Sequence, residues 1–550
     1  EKNMFNVKIG KQTFQLENKQ TILSLIPKDE QKKYYAAKVN NRLRELTYEV
    51  SFNCEIELLD LKNSDAVKVY ETSLRYLIVM AIYRLQPEYS VRLSYNVSRS
   101  IFVQLLNKNQ AFDSRFIKDV VSEMKKIVEA DYPLTRRLIT KEEAKEIYKK
   151  QNEEDKMETL KYRPEKMVHI YECDGYLNYM FGYMVPSTGY LTQFIVKHYN
   201  PGFIVQYPRA EENGTIPAFE EASMFGKTLK LAHGWSKICE ADTVSKMNDH
   251  VREETTVDFI NMCETKHNDM LCELGNAIEK DIENIRLIAI AGPSSSGKTT
   301  FSNRLRIELM SRGITPLRIS IDDYYLPKHQ APVDENGDPD LEHIEALDID
   351  LFNSHMLALI QGDEITLPVF NFKTGEREEG QKCKIDAKTP IIIEGIHALN
   401  DYLTSSIPKH QKFKIYIAPQ IQINLDNHNP ISLTDIRLLR RIVRDKKYRN
   451  TSAEKTLEMW ASVRRGEFKW IYPHQEGANF VFNSELTYEL GVMKKYALPA
   501  LQAIPDDHPH AITANRLIKF LKYFKDIDDK WVPCNSLLRE FIGGSCFHDV

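Results

Sequence analysis

The stretch Gly292-Pro293-Ser294-Ser295-Ser296-Gly297-Lys298-Thr299-Thr300 constrains this chain more than any other. It follows the apolar run Leu287-Ile288-Ala289-Ile290-Ala291, which reads as a buried parallel strand. It precedes Phe301 to Leu309, whose apolar residues recur at helical spacing. A strand, a glycine-rich turn of the form G-x-x-x-x-G-K-[ST] and a helix make a phosphate-binding loop. The glycines let the backbone wrap close to phosphate, and its amides and the helix N-terminus supply partial positive charge. Gly292, Ser294, Ser295, Ser296, Gly297, Lys298, Thr299 and Thr300 are therefore the expected nucleotide-binding residues. Lys298 would reach the outer phosphates and take part in catalysis, and Thr299 would put a hydroxyl on Mg²⁺.

A chain of 550 residues exceeds what one hydrophobic core supports, so several domains are expected. A hydrophobic content of 42%, a charged content of 28% and a net charge of -4 describe an ordinary globular protein, and nothing in that balance demands nucleic acid. The eight cysteines include no C-x-x-C pair, which fits free thiols in a reducing compartment. Cys263, His267 and Cys272 fall close together in a helical segment, but a fourth ligand at metal-site spacing is missing, and they read as packing residues. No apolar run approaches the roughly 18 residues of a membrane span, and no signal-peptide core opens the chain, so a cytoplasmic protein without membrane contact is expected.

Residues 1–60 alternate short strand-like runs with turns. At their centre, Tyr35 to Leu46 carries Val39, Asn40, Leu43 and Leu46 in the spacing V-N-x-x-L-x-x-L, read as one strand. This resembles the TGS domain, a small β-grasp module found at the front of threonyl-tRNA synthetases. The resemblance implies that residues 61–230 are an α+β domain like the editing domain of those synthetases. Thr72, Tyr76, Met180 and Met184 then stand where that family carries three histidines and a cysteine. None of the four is a metal ligand of that kind or a general base at neutral pH, so the scaffold is expected without its hydrolytic chemistry. RNA contact by this half stays open. Residues 231–283 have helical apolar spacing and no proline, and read as a helical connector.

Residues 284–505 carry the chemistry, and residues 506–550 read as a helix with an ordered tail. Leu317 to Ile321 reads as a second buried strand, ending at Asp322 and Asp323. A carboxylate at the C-terminal end of a strand in an open parallel sheet faces the ligand crevice. There it can accept the proton of a hydroxyl attacking the γ-phosphoryl group. Pro390 to Ile396 is a third strand, closed by Glu394 in the position that holds Mg²⁺ through water in phosphate-loop proteins. Phe413 to Ile417 is a fourth, completing a doubly wound parallel α/β sheet of the P-loop NTPase type. Arg437, Arg440, Arg441 and Arg444 fall on one face of a following helix, which suits a mobile lid over a triphosphate.

In this order, Gly292 to Thr300, Ser320 to Tyr325, Leu367 to Phe372, Ile393 to Ile396 and Arg440 to Asp445 resemble the uridine kinase and phosphoribulokinase family, most closely its uridine-cytidine kinase branch. The resemblance selects Asp322 over Asp323 as the base. It puts Thr299 and Glu394 around Mg²⁺, puts Arg441, Arg444 and Arg449 on the lid, and implies ATP or GTP as donor to a nucleoside 5′-hydroxyl. Departures fall on the acceptor side. Glu342 stands where the family has an aspartate that grips ribose, Phe370 replaces a tyrosine and Asn371 an aspartate, while Gly375, Thr451 and Met459 replace a histidine, an arginine and a glutamine. A nucleoside kinase is the first expectation. A kinase of another small alcohol and a nucleotide-gated RNA-associated regulator are the alternatives, and homo-oligomerisation is left open.

Overall fold

The computed structural model describes residues 4–107, 110–420 and 423–550. At the N-terminus, five strands form a sheet in the order Gln12–Leu16, Phe5–Ile9, Cys54–Leu59, Ala36–Val39 and Arg42–Arg44. Only the Phe5–Ile9 and Cys54–Leu59 pair is parallel. The single strand expected through Tyr35 to Leu46 is instead a hairpin. Asn40 and Asn41 form its turn with φ of 45° and 64°, a conformation asparagine tolerates better than other side chains.

Helix α1 (Ser64–Leu85) follows, started by the Asn63 side chain accepting from the amides of Asp65 and Ala66. Its middle is apolar on all sides, from Tyr76 through Ile82, and it is correspondingly buried. A four-stranded sheet (Ile195–Tyr199, Gly202–Gln206, Ser100–Leu105, Val91–Asn96) and a three-stranded one (Thr135–Thr140, Met167–Cys173, Tyr176–Asn178) enclose it. The connector is three helices, Ser223–Ile238, Val244–Asp249 and Thr256–Lys280. His267 lies in the last, its Nε2 at 2.9 Å from the Glu485 carbonyl, and no metal-ligating group of three His, Cys, Asp or Glu occurs among the described residues.

The central sheet is built from β1 (Leu287–Ala291), β2 (Leu317–Ser320), β3 (Ile391–Glu394), β4 (Lys412–Ala418) and β5 (Phe480–Asn483), in the order β2-β3-β1-β4-β5. Every pairing is parallel, and β1 and β3 are buried along their whole length, as continuous Ile, Leu and Ala runs require. This is the doubly wound α/β fold expected from the sequence, with β5 as an additional edge strand. Helix α2 (Lys298–Met310) follows β1 and helix α3 (Leu433–Tyr448) follows β4. Beyond β5 come α4 (Ala511–Leu521) and the short α5 (Arg539–Ile542). Among the described residues no helix is long and apolar enough to cross a membrane.

The two halves meet in a common interior. Ile139, Tyr148, Val168 and Ile170 pack in the same apolar cluster as Leu425, Leu438 and Ile442. A fully buried ion pair joins Lys156 to Asp426 at 3.3 Å, the Asp155 carboxylate accepts from the Asn427 amide at 2.6 Å, and Asn424 donates to the Leu93 carbonyl at 2.7 Å.

Candidate active site

The loop between β1 and α2 needs its glycines for different reasons. A Cβ on Gly292 would stand 2.1 Å from the Ile417 carbonyl oxygen of β4, and Gly297 has φ of +94°. The loop closes on its own lysine, since Lys298 Nζ donates to the carbonyls of Gly292 at 2.9 Å and Pro293 at 3.2 Å. The hydroxyls of Ser295 and Ser296 are buried with no hydrogen-bond partner among the described residues. Unpaired buried hydroxyls around a concave run of amides fit an incoming phosphate.

Carboxylates converge on Lys298 from two strand ends, from the loop that carries Glu342 and from the tail. Asp322 and Asp323 lie in the short helical turn after β2 (Ile321–Tyr324). Burial holds the Asp322 carboxyl above its usual range, opposed by Lys298 and Arg449 and reinforced by Asp323. Asp323 is engaged in the scaffold, accepting from the Phe370 amide at 3.2 Å. Glu394, at the end of β3, is pushed up to about 7 by burial and by Asp322 despite Lys298. Glu342 is likewise raised to about 7 by burial, with Arg441 pulling the other way and Glu467 and Asp322 adding to the rise. Asp322, Glu394, Glu342 and Lys298 thus share one crevice at the C-terminal ends of the strands, beside the point where sheet order reverses around β1.

The arginines of α3 divide into two pairs. Arg437 is buried against Glu467 and donates to the Ser294 carbonyl at 3.0 Å. Arg440, fully buried, clamps Glu489 through both oxygens at 2.7 and 2.6 Å and donates to the Ser295 carbonyl at 3.2 Å. These two tie the phosphate loop to the core, so this half of the face is a fixed support and not the mobile lid expected from helical spacing. Arg441 reaches the Ser294 hydroxyl at 2.7 Å and Asp445 at 3.3 Å. Arg444 pairs with Asp445 at 3.0 Å, and Arg449, 57% exposed, stands 3.8 Å from the same carboxylate.

Residues 287–490 match the profile of the phosphoribulokinase / uridine kinase family. The chain is 31% identical over 196 residues to a uridine kinase of Brevibacillus brevis, covering 36% of this chain and 83% of that enzyme. It belongs to this family. A uridine kinase of Bacillus pumilus is 30% identical over 179 residues, 32% of this chain and 76% of that protein. A threonine–tRNA ligase of Syntrophomonas wolfei is 27% identical over 218 residues, covering 40% of this chain and only 33% of that enzyme. The similarity to threonine–tRNA ligases falls on the N-terminal part and agrees with the synthetase-like reading of that half.

The residues expected on the acceptor side differ in their surroundings. Phe370 is buried, its ring 5.5 Å from Tyr325 and 4.9 Å from Phe372. Gly375 has φ of +73° and sits against the Lys328 side chain, while Met459 is 39% exposed. Two neighbours escaped the sequence reading. His397, three residues beyond Glu394, is buried with its imidazole pushed down to about 4 by burial, and its ring meets Trp470 edge-on at 5.8 Å. Glu540 arrives from α5 at the far end of the chain. Its carboxylate accepts from the Thr300 amide at 3.0 Å and from the Thr300 hydroxyl at 3.3 Å. The same tail packs Leu537 onto Gly297 and pairs Asp549 with Arg318 and Asn303. Nothing in the spacing of residues 506–550 points toward the loop, because the contact spans 240 residues.

The donor set fits Mg²⁺ and a nucleoside triphosphate. Thr299 and Glu394 are hard oxygen donors, too few for an all-protein cage and suited to an ion that keeps water and phosphate ligands.

Proposed function

We propose that this protein is a Mg²⁺-dependent nucleoside kinase that moves the γ-phosphoryl group of ATP to a sugar hydroxyl. The observation that carries this reading is the single crevice shared by Lys298, Asp322, Glu394 and Glu342 beside a phosphate loop with two unpaired buried hydroxyls. Family membership supports the phosphotransfer chemistry and leaves the acceptor as our inference.

In this reading the loop amides and Lys298 hold the triphosphate, and Arg441 and Arg444 neutralise its charge. Asp322 orients the acceptor hydroxyl and takes its proton as the oxygen bonds to the γ-phosphorus. The bond from that phosphorus to the β–γ bridging oxygen breaks, and ADP leaves. Burial raises the Asp322 carboxyl, which makes it the stronger base. Glu342 grips the sugar hydroxyls with a carboxylate one methylene longer than the family's aspartate. Thr299 and Glu394 would hold Mg²⁺, which when bound neutralises charge on the β- and γ-oxygens.

The test incubates the full chain with Mg²⁺ and ATP or GTP against a panel of nucleosides and small alcohols, following phosphorylated products by mass, with Asp322→Asn as control. Turnover of a nucleoside, lost in Asp322→Asn, supports the proposal. Turnover confined to a non-nucleoside alcohol, or none at all with nucleotide bound, overturns the nucleoside assignment.

A further inference from the structure

A second cleft of about 600 Å³ lies away from the phosphate loop, between the synthetase-like half and the kinase half. Its walls are the first turns of α1, the strand Arg42–Arg44, the strands Thr135–Thr140 and Met167–Cys173, and the loop around Phe181. The kinase half closes it with Pro430 to Ser432, the first turn of α3, and α4. The four positions carrying the expected synthetase-like site divide here. Thr72 and Met180 line the cleft, whereas Tyr76 and Met184 are buried outside the lining.

The charge of this cleft runs against that of the whole protein. Eight Lys and Arg side chains face four Asp and Glu in its lining, in a chain of net charge -4. Several of the cations lack a close carboxylate. Arg44 donates to the Leu43 carbonyl and the Tyr183 hydroxyl, Lys519 stands 5.9 Å from the Tyr183 ring centre, and Lys68 feels Asp435 and Asp65 without a close ion pair among the described residues. Arg136 and Arg163 each stand 3.8 Å from their nearest carboxylate. The guanidinium of Arg136 lies 5.2 Å from the Tyr183 ring centre, and that of Arg163 lies 5.4 Å from the Tyr179 ring centre. The potential is felt at the cleft wall, where burial together with Arg136, Arg163 and Lys519 holds the His169 imidazole down to about 4.

An excess of incompletely neutralised cations within one concave site favours an anion, because a phosphate bound among them relieves their mutual repulsion and accepts charge-assisted hydrogen bonds. Tyrosine and phenylalanine faces among those cations favour a planar ring beside the phosphate. The volume is that of a small-molecule site. A polymer would require a basic track running out over the surface, which a chain of this net charge does not predict.

We infer that this cleft is a second ligand site, for a nucleoside monophosphate or a closely similar aromatic phosphate, distinct from the phosphate loop. The phosphate lies among Arg44, Lys68, Arg136 and Lys519, and the ring against the Tyr179, Phe181 and Tyr183 cluster. Asp435, in the first turn of α3, lines the cleft, and Arg437, Arg440 and Arg441 of the same helix hold the phosphate loop. The inference itself rests on the cleft and not on the kinase assignment.

The experiment is calorimetric titration of the full chain with AMP and with UMP, in the presence of a saturating non-hydrolysable ATP analogue. Inorganic phosphate and a short single-stranded RNA serve as separate probes. The expected result is one binding event per chain for at least one mononucleotide, retained in Lys298→Ala and weakened at least about tenfold in Lys519→Glu. Tyr183→Ala and Lys68→Glu, read alongside thermal melts, provide independent variants should Lys519→Glu fail to fold. No binding of either mononucleotide, binding lost with Lys298→Ala, binding indifferent to all three cleft variants, or binding of the RNA alone would each overturn the inference.

Discussion

Glu540 occupies the Thr300 amide at the α2 N-terminus, one of the donors an incoming nucleotide phosphate would also seek, and replacing it tests how the tail and a ligand share that donor. Its carboxylate accepts from the Thr300 amide at 3.0 Å and the Thr300 hydroxyl at 3.3 Å, at the positive end of a helix. A hydrogen bond to a charged group contributes about 1.5–3 kcal/mol, and a half-buried carboxylate belongs at the lower end because water screens it. Glu540→Ala therefore has two effects of opposite sign. The free protein loses about 1 kcal/mol of stability, as when a helix loses its cap. ATP binds about tenfold more tightly, because the phosphate no longer displaces a carboxylate. Titration of a fluorescent ATP analogue, with thermal melts of the same samples, reads both quantities. Glu540→Gln keeps the acceptor and removes the charge, and should fall between. Weaker ATP binding in Glu540→Ala would refute the reasoning, since Glu540 would then be helping to hold the nucleotide.

The remaining expectations concern the sheet and its supports. Glu394 rises from 4.5 to about 7 on folding, so the folded state takes up its proton first and this group lowers stability as pH rises from about 4.5 to 7. Urea melts at the two ends of that window should differ less in Glu394→Gln than in the unaltered protein, by up to about 3 kcal/mol. Gly292→Ala drives a Cβ into the Ile417 carbonyl and should abolish nucleotide binding in equilibrium dialysis, with a lowered melting temperature. Arg440→Ala leaves Glu489 buried without its partner and should cost about 3–5 kcal/mol by chemical denaturation, whereas Arg440→Met with Glu489→Leu should recover much of that loss.

Much of the catalytic half was legible because its signals are local. Two of the five sheet strands are apolar runs, two more alternate apolar with polar or aromatic residues, and the glycines of the phosphate loop sit at fixed spacing. The fifth, Phe480–Asn483, has four residues and no alternation, which leaves periodicity nothing to detect. The hairpin at Asn40 and Asn41 was missed although two consecutive asparagines are a turn signal of their own. The arginine spacing of α3 correctly grouped its side chains on one face, but which of them meet buried glutamates depends on Glu467 and Glu489, and no helical period encodes those partners. His397 and Glu540 were illegible for the same reason, since each reaches the crevice only through tertiary packing.

The buried bridge between Lys156 and Asp426 has a consequence for how this protein comes apart. Linked domains often melt independently, each with its own transition, when the surface between them is small and wet. Here the two halves contribute side chains to one apolar cluster, and the bridge at their junction has no access to water. Separating them breaks that bridge and uncovers apolar residues of both halves, Ile170 and Leu425 among them. Heating should therefore produce a single calorimetric peak. A kinase half excised from its synthetase-like companion should associate or precipitate unless Asp426 and the apolar residues around it are also replaced.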